Sequence, residues 1–518
     1  MNATHSSYTA RIGVFLLCVA VSAATAGADK EQYDVVFSTY IGGGNWEHAR
    51  DVFADHQGNI YMVGGTASTD FPTTPGAYDQ SFNAGGKQMG PAGQCDAFVT
   101  KFDPEGKLIW STLLGGPNYD RAYAVEVDAQ GNVYVAGRAG PGFPVTDSAF
   151  QTEYGGSRYN GFYGSQNGFV VKLSPDGDRL IWSSFVGVGE LCRDLDIDAD
   201  GNVYLPLGWN TRSEGVQKPD WFNYAFSGRF QEKPAGNLDC GIVKVKSDGS
   251  RVLWATWLGG SGKDTQESSI RVYTMNRVYI VFNTTSKDLP TTPGAFARKH
   301  NGGDDGYVAA IKADGSGLVY GTYLGGSGVD WAVSTHTLAI DTDGNAYVSV
   351  CTKSADFPTT SGAFDGKRDG PTDIAIVKLS PTGALLRSTL IGGSGSEGAD
   401  GIYVDRVGNV FFVGQTDSND FPVTSNACQR EYAGGKDALI VRLSADFSRL
   451  LYSTYMGGGA FDTGRSAYLG QDGSLYLTGA VSGPGWPAKN AYQGTFAGGG
   501  GPRWGNGDCI LTRLKPTD

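Results

Sequence analysis

Short runs in which apolar and polar residues alternate recur along almost the whole chain, separated by Gly, Asp, Asn and Pro. Ala124-Val125-Glu126-Val127-Asp128 and Asn132-Val133-Tyr134-Val135-Ala136 are typical. A two-residue period rich in β-branched and aromatic side chains predicts strands bounded by tight turns. No sustained helical period interrupts them.

The runs themselves repeat. A Gly-Gly after an aromatic or aliphatic pair occurs at Tyr40-Ile41-Gly42-Gly43, Leu113-Leu114-Gly115-Gly116, Trp257-Leu258-Gly259-Gly260, Tyr323-Leu324-Gly325-Gly326, Leu390-Ile391-Gly392-Gly393 and Tyr455-Met456-Gly457-Gly458, with a degraded copy at Phe185-Val186-Gly187-Val188. The first glycines are spaced by 73, 72, 72, 66, 67 and 65 residues. Each copy predicts four strands, here termed a to d. An Asp-x-x-Gly-Asn turn joins a to b, as in Asp55…Gly58-Asn59 and Asp128…Gly131-Asn132, with glycine supplying the positive φ of a hairpin. A long loop leads to strand c, and a Pro/Asp/Gly turn to strand d. Four strands repeated seven times predict an all-β, seven-bladed β-propeller. The chain opens on a d-type strand (Val35 to Tyr40) and ends on a c-type strand (Ile510 to Leu514). The N-terminal strand is thus expected to complete the last blade and close the ring, removing the exposed edges.

The b–c loops open on a shared signature: Asp70-Phe71-Pro72-Thr73-Thr74-Pro75-Gly76-Ala77-Tyr78 in blade 1, Asp288-Leu289-Pro290-Thr291-Thr292-Pro293-Gly294-Ala295-Phe296 in blade 4, Asp356-Phe357-Pro358-Thr359-Thr360-Ser361 in blade 5 and Asp420-Phe421-Pro422-Val423-Thr424-Ser425 in blade 6. With the Gly-Gly and Asp-x-x-Gly-Asn motifs, this resembles the bacterial SBBP β-propeller repeat family over residues 35 to 514. The resemblance implies the propeller fold and an exported or cell-surface protein. It implies no shared activity, and function has to be argued from a site. Blade 3 lacks the Phe-Pro-Thr-Thr element, and blade 4 has Thr274-Met275-Asn276-Arg277 in place of the Asp-x-x-Gly-Asn turn.

Composition narrows the setting. A formal charge of −12 argues against nucleic acid and anionic membrane surfaces, which need basic patches. Residues 1–28 read as a secretory signal, with Arg11, an apolar run from Ile12 to Ala20, and Ala-x-Ala sites at Ala24–Ala26 and Ala26–Ala28. Residues 29–518 are then one propeller domain without a membrane span, expected as a monomer that is secreted, periplasmic or on the cell surface. The six remaining cysteines show no metal-binding spacing.

Strand order places the d–a turns and b–c loops on one face. There an acidic residue precedes strand a in every copy: Glu47, Asp120, Glu190, Asp264, Asp330, Glu397 and Asp462. Each carboxylate either accepts N–H bonds in its own turn or joins a ring that attracts a cation. The b–c loops past the signature hold 8 residues in blades 4, 5 and 6, but 17, 16, 12 and 15 in blades 1, 2, 3 and 7. These four blades are consecutive on the ring, and insertions on one face of a repeat array mark a binding face. Aromatic and charged side chains there suit a glycan or protein ligand: Trp46, Glu47, Arg158, Tyr159, Trp209, Arg212, Trp221, Arg503 and Trp504. The alternatives are a polysaccharide lyase or glycoside hydrolase, with His48, Tyr119, Arg121 and Arg193 as candidate base and carboxylate-neutralising groups, or a scaffold without a small ligand. No cofactor is expected beyond calcium, for which Asp196, Asp198 and Asp200 mimic the start of a binding loop, although its twelfth position is Leu207.

Overall fold

The computed structural model describes residues 32–517 apart from 85–93, 157–162, 190, 211–214, 274–275, 332–335 and 502–506. The expected export signal, residues 1–28, lies outside the described residues.

Seven separate antiparallel sheets run in the order a-b-c-d. Blade 1 comprises Glu47–Ala54, Ile60–Thr66, Asp96–Phe102 and Leu108–Leu114. Blade 2 repeats it with Arg121–Val127, Val133–Ala139, Asn167–Leu173 and Leu180–Val186. Blade 7 combines Asp462–Leu469, Leu475–Val481 and Asp508–Pro516 with the N-terminal strand Tyr33–Ile41, which pairs from Tyr33↔Pro516 to Ile41↔Cys509. That closure is the one expected from the strand count. The one helix among the described residues is a single turn, Phe222–Ala225, in the rebuilt loop of blade 3.

The blades adhere through apolar side chains on both sheet faces. Between blades 7 and 1, Phe37, Tyr476 and Leu511 pack with Val52, Met62 and Phe98. Each such side chain contributes roughly 1.5–3 kcal/mol by leaving water. The a strands of successive blades touch each other, as Glu47–Ala54 touches both Arg121–Val127 and Asp462–Leu469, so the a strands line the axis. The Gly-Gly turns let the strands approach closely there: a Cβ on Gly115 would stand 2.3 Å from the Asp96 carboxylate. In the hairpins, Gly58 and Gly131 take φ of 81° and 82°, as the Asp-x-x-Gly-Asn turn demands.

Candidate functional site at the axis

The acidic residue before strand a serves its own turn. Glu47 Oε2 accepts the Gly43 N–H at 3.0 Å while Thr66 donates to Oε1 at 2.6 Å. Asp120, Asp264, Asp330 and Asp462 accept the N–H four residues earlier at 2.6–2.7 Å, and Glu397 does so at 3.3 Å. All six are buried; Glu190 lies outside the described residues. These carboxylates hold the entry to the inner strand, and Glu47, 1% exposed, presents nothing to a ligand.

The third residue after that acid faces a different environment. It is Arg50, Tyr123, Arg193, Glu267, Asp400 and Arg465 in blades 1, 2, 3, 4, 6 and 7. The Arg50, Arg121, Arg138 and Arg193 guanidiniums lie 4.9, 5.3, 5.4 and 4.9 Å from the centre of the Tyr123 ring. Arg138 arrives from strand b, paired in register with Arg121. Among the described residues, two carboxylates answer five guanidiniums: Glu267 pairs with Arg193, and Asp400 with Arg465 at 2.8 Å. Arg50, Arg121 and Arg138 are each 5% exposed. The Nε atoms of Arg50, Arg121, Arg138 and Arg193, with Nη2 of Arg121, are buried without a hydrogen-bond partner. Tyr163 covers Arg138 at 4.5 Å, and Trp46 covers Arg121 at 4.9 Å. The Glu267 side chain keeps 45% of its surface exposed, whereas Tyr123, at the centre of this chamber of charged side chains, is 2% exposed.

These charges set the protonation of the groups between them. Burial alone would raise the Tyr123 phenol, but Arg138, Arg121, Arg193 and Arg50 outweigh it and bring it down to about 7. Burial and then Arg121, Arg465, Arg50 and Arg193 hold His48 well below the usual imidazole range. His48 is therefore neutral, and its Nε2 accepts the Arg465 Nε–H at 3.1 Å. Arg193 holds the Glu267 carboxyl below its ordinary value.

A second layer closes the axis beneath the first. His336, at a φ of 63°, reaches Asp51 through Nε2 and Asp194 through Nδ1, both at 3.3 Å. Arg271 binds Asp194 at 2.8 Å. The same aspartates cross-link blades, Asp51 accepting the Val125 N–H at 2.8 Å and Asp194 the Ile270 N–H at 3.0 Å. Below them is a cavity of about 30 Å³ beside Glu126, Tyr403 and Tyr468. On the loop face, a wider cleft of about 610 Å³ lies between blades 6 and 7, lined by Gln415, Asp417, Lys436, Phe461 and Ser482. Gln415 pairs with Gly398, two residues before Asp400.

Of the candidate catalytic residues, His48 lies within the electrostatic reach of Arg121 and Arg193. Tyr119 is 2% exposed and 5.0 Å from the Tyr163 ring; burial raises its phenol well above the usual range while Arg121 acts to lower it. Tyr123, the phenol among the guanidiniums, was absent from the sequence-based candidates, as were Arg50 and Arg138. Reading the third position after the acid across the seven copies would have found Arg50 and Tyr123 together. Trp221 is core: it is 2% exposed, stacks near Phe226 and donates its Nε1–H to Gln151 at 3.2 Å. Trp209 is half-buried beside Trp257, with Lys218 4.9 Å over its ring. Arg158, Tyr159, Arg212, Arg503 and Trp504 lie outside the described residues. The calcium expectation needs correction. Asp198 accepts the Asn202 N–H at 2.9 Å and pairs with Lys244 at 2.9 Å. Asp196 is turned to the Val272 N–H of the next blade at 2.6 Å. Asp200 belongs to the exposed hairpin. No three potential ligands converge on a metal among the described residues. The six cysteines Cys95, Cys192, Cys240, Cys351, Cys428 and Cys509 are unpaired.

The family model for the SBBP beta-propeller repeat matches residues 109–143 and 387–422. An uncharacterised WD repeat-containing protein of Acanthamoeba polyphaga mimivirus is 22% identical in an alignment 447 positions long that covers 73% of this chain and 31% of that protein. The chain thus spans about a third of the length of this relative. Among solved structures, a protein of unknown function from Dyadobacter fermentans matches at a TM-score of 0.41 and 12% identity, covering 94% of this chain and 100% of the other. The quinohemoprotein alcohol dehydrogenase of Comamonas testosteroni matches at 0.40 and 11%, covering 93% and 76%. Among the described residues, no helix is long and apolar enough to cross a membrane.

Proposed function

We propose that this chain, which carries SBBP beta-propeller repeats, binds an acidic saccharide on its long-loop face, with a carboxylate seated at the axis on Arg50, Arg121, Arg138 and Arg193. The observation that carries this is the imbalance, among the described residues, of five guanidiniums, four of them buried and that of Arg193 partly so, against two carboxylates. Unpaired buried cations are costly, and a bound anion offsets that cost. The orphaned Nε and Nη2 atoms offer the donors that a carboxylate takes in pairs. A sugar is favoured over a bare anion by the neighbouring cleft at Gln415 and Lys436, which has room for an adjoining unit; Trp46, 3% exposed and covered by Arg121, belongs to the core instead. The site belongs to an exported, surface-bound or periplasmic protein in this reading, where such polymers are met.

Calorimetric titration tests it with glucuronate oligosaccharides, the corresponding neutral oligosaccharides, and inorganic sulfate. Binding of the uronate alone or most tightly, weakened by salt and lost in Arg121→Met, is the expected result. Equal affinity for the neutral sugar, or a uronate affinity unchanged by Arg121→Met, would overturn the reading.

A further inference from the structure

Resting on that reading, we infer that Tyr123 makes the axial chamber a polysaccharide lyase site, which cleaves glucuronate- or mannuronate-type polymers by β-elimination. Neutralising a uronate carboxylate acidifies the proton on the adjoining C5, because the charge that develops in the transition state is delocalised onto that carboxylate. Four guanidiniums around one phenol provide the neutralisation and the base in the same place.

The other groups in the chamber are engaged. His48 accepts from Arg465, Glu267 is bound to Arg193 and Asp400 to Arg465. In the ligand-free protein this phenol titrates at about 7, so it is deprotonated before substrate arrives above that pH; the carboxylate that then binds the guanidiniums raises its proton affinity, and it meets the C5 proton as a stronger base.

The step balances with Tyr123 alone. The phenolate takes the C5 proton, and the C5–H electron pair becomes the C4=C5 double bond. The C4–O4 bond breaks with its pair leaving on O4, and O4 takes the proton from the Tyr123 phenol, which restores the phenolate. No oxidant, metal or water is consumed, and the products are an unsaturated uronate and a new chain end. One residue that both removes and returns the proton must work on one face of the ring. It therefore requires C5–H and C4–O4 on the same side, as in glucuronate and mannuronate. In galacturonate they are opposed.

The test is incubation of the full chain with glucuronan, mannuronan and polygalacturonate, following the ultraviolet absorbance of the conjugated product and its mass. Unsaturated ends are expected from one or both of the first two polymers and not from the third. Tyr123→Phe should keep uronate binding and lose turnover by at least ~100-fold. In the wild-type protein, kcat/KM should rise with pH through about 7, a readout that does not depend on the variant folding. Binding without any unsaturated product would overturn the elimination and leave the binding reading standing, whereas absence of uronate binding would overturn both. Saturated products, cleavage of polygalacturonate alone, an active Tyr123→Phe, or a rate that falls through that pH range would each overturn the inference.

Discussion

Replacing Arg50 by Met should make the ligand-free protein more stable and the ligand-bound protein impossible to form. The Arg193–Glu267 and Arg465–Asp400 pairs are each close to neutral as seen from Arg50. At pH 6, where the assay is run and the Tyr123 phenol is protonated, the uncompensated neighbours are Arg121 and Arg138. Guanidiniums standing 4.9, 5.3 and 5.4 Å from one ring centre are at most about 10 Å apart, a separation that costs ~1.7 kcal/mol per pair at an effective dielectric of about 20. Two such pairs cost about 3 kcal/mol, and the cation–π contact with Tyr123 returns up to about 2 kcal/mol. That leaves about 1 kcal/mol of net repulsion, with desolvation of the 5%-exposed Arg50 still to be added. Replacement by an apolar chain of similar volume is therefore expected to stabilise by about 1–4 kcal/mol. Urea denaturation read by tryptophan fluorescence measures this without ligand. With uronate oligosaccharide at 100 times its Kd, the wild type should gain about 2.7 kcal/mol, and Arg50→Met should gain nothing. A destabilised Arg50→Met would refute the reasoning, because Arg50 would then hold the fold rather than wait for an anion.

Three further outcomes follow from the same geometry. Ultraviolet difference titration should show one tyrosine ionising near pH 7, absent in Tyr123→Phe; its folded value lies below the usual one near 10, so its contribution to stability is present above about 10 and is lost as pH falls through about 7. Burial opposes the charge on His336 while Asp51 and Asp194 more than offset that and raise it, so its contribution is present below the ordinary imidazole value and is lost as pH rises through the raised one. Asp194→Asn should weaken that pH dependence, Asp51 remaining beside His336, and cost about 3–5 kcal/mol by leaving Arg271 and His336 short of a buried partner, as thermal melts across pH would show. Trp221→Ala should lower stability by about 3–5 kcal/mol, read by denaturation, because its ring fills the core beside Phe226 and Trp257.

The ring was legible in the sequence because its determinants are local and repeated. The alternation, the Asp-x-x-Gly-Asn turns and the leftover d strand each carry their own physical meaning, and the Tyr33–Ile41 pairing with Asp508–Pro516 followed from counting strands. The face was legible for the same reason, since strand order fixes where His48, Arg121 and Arg193 emerge. The chamber was less so. Its described residues come from six blades, and Arg138 comes from a second strand of blade 2. Their meeting depends on seven blades converging at the axis, not on any spacing along the chain. Tyr119 and Tyr123 look alike in sequence, but the first is followed within two residues by the start of the strand and lies against Tyr163, while the second reaches the guanidiniums. Trp221 misled as a surface aromatic because the loop that carries it folds back onto blade 3 through Phe222 and Phe226. Asp196, Asp198 and Asp200 share a motif with calcium loops, but Asp196 and Asp198 turn to different partners and Asp200 stays exposed on the hairpin.

The most direct measurement of whether an acidic sugar occupies the axis is the tyrosinate absorbance of the wild-type protein near pH 8 during titration with a glucuronate oligosaccharide. A carboxylate arriving among the guanidiniums competes for their charge and favours the neutral phenol. The absorbance should therefore fall in step with the calorimetric isotherm, and Tyr123→Phe should show binding without the spectral change. Saturable binding that leaves the tyrosinate signal untouched in the wild type would place the sugar elsewhere and contradict the account.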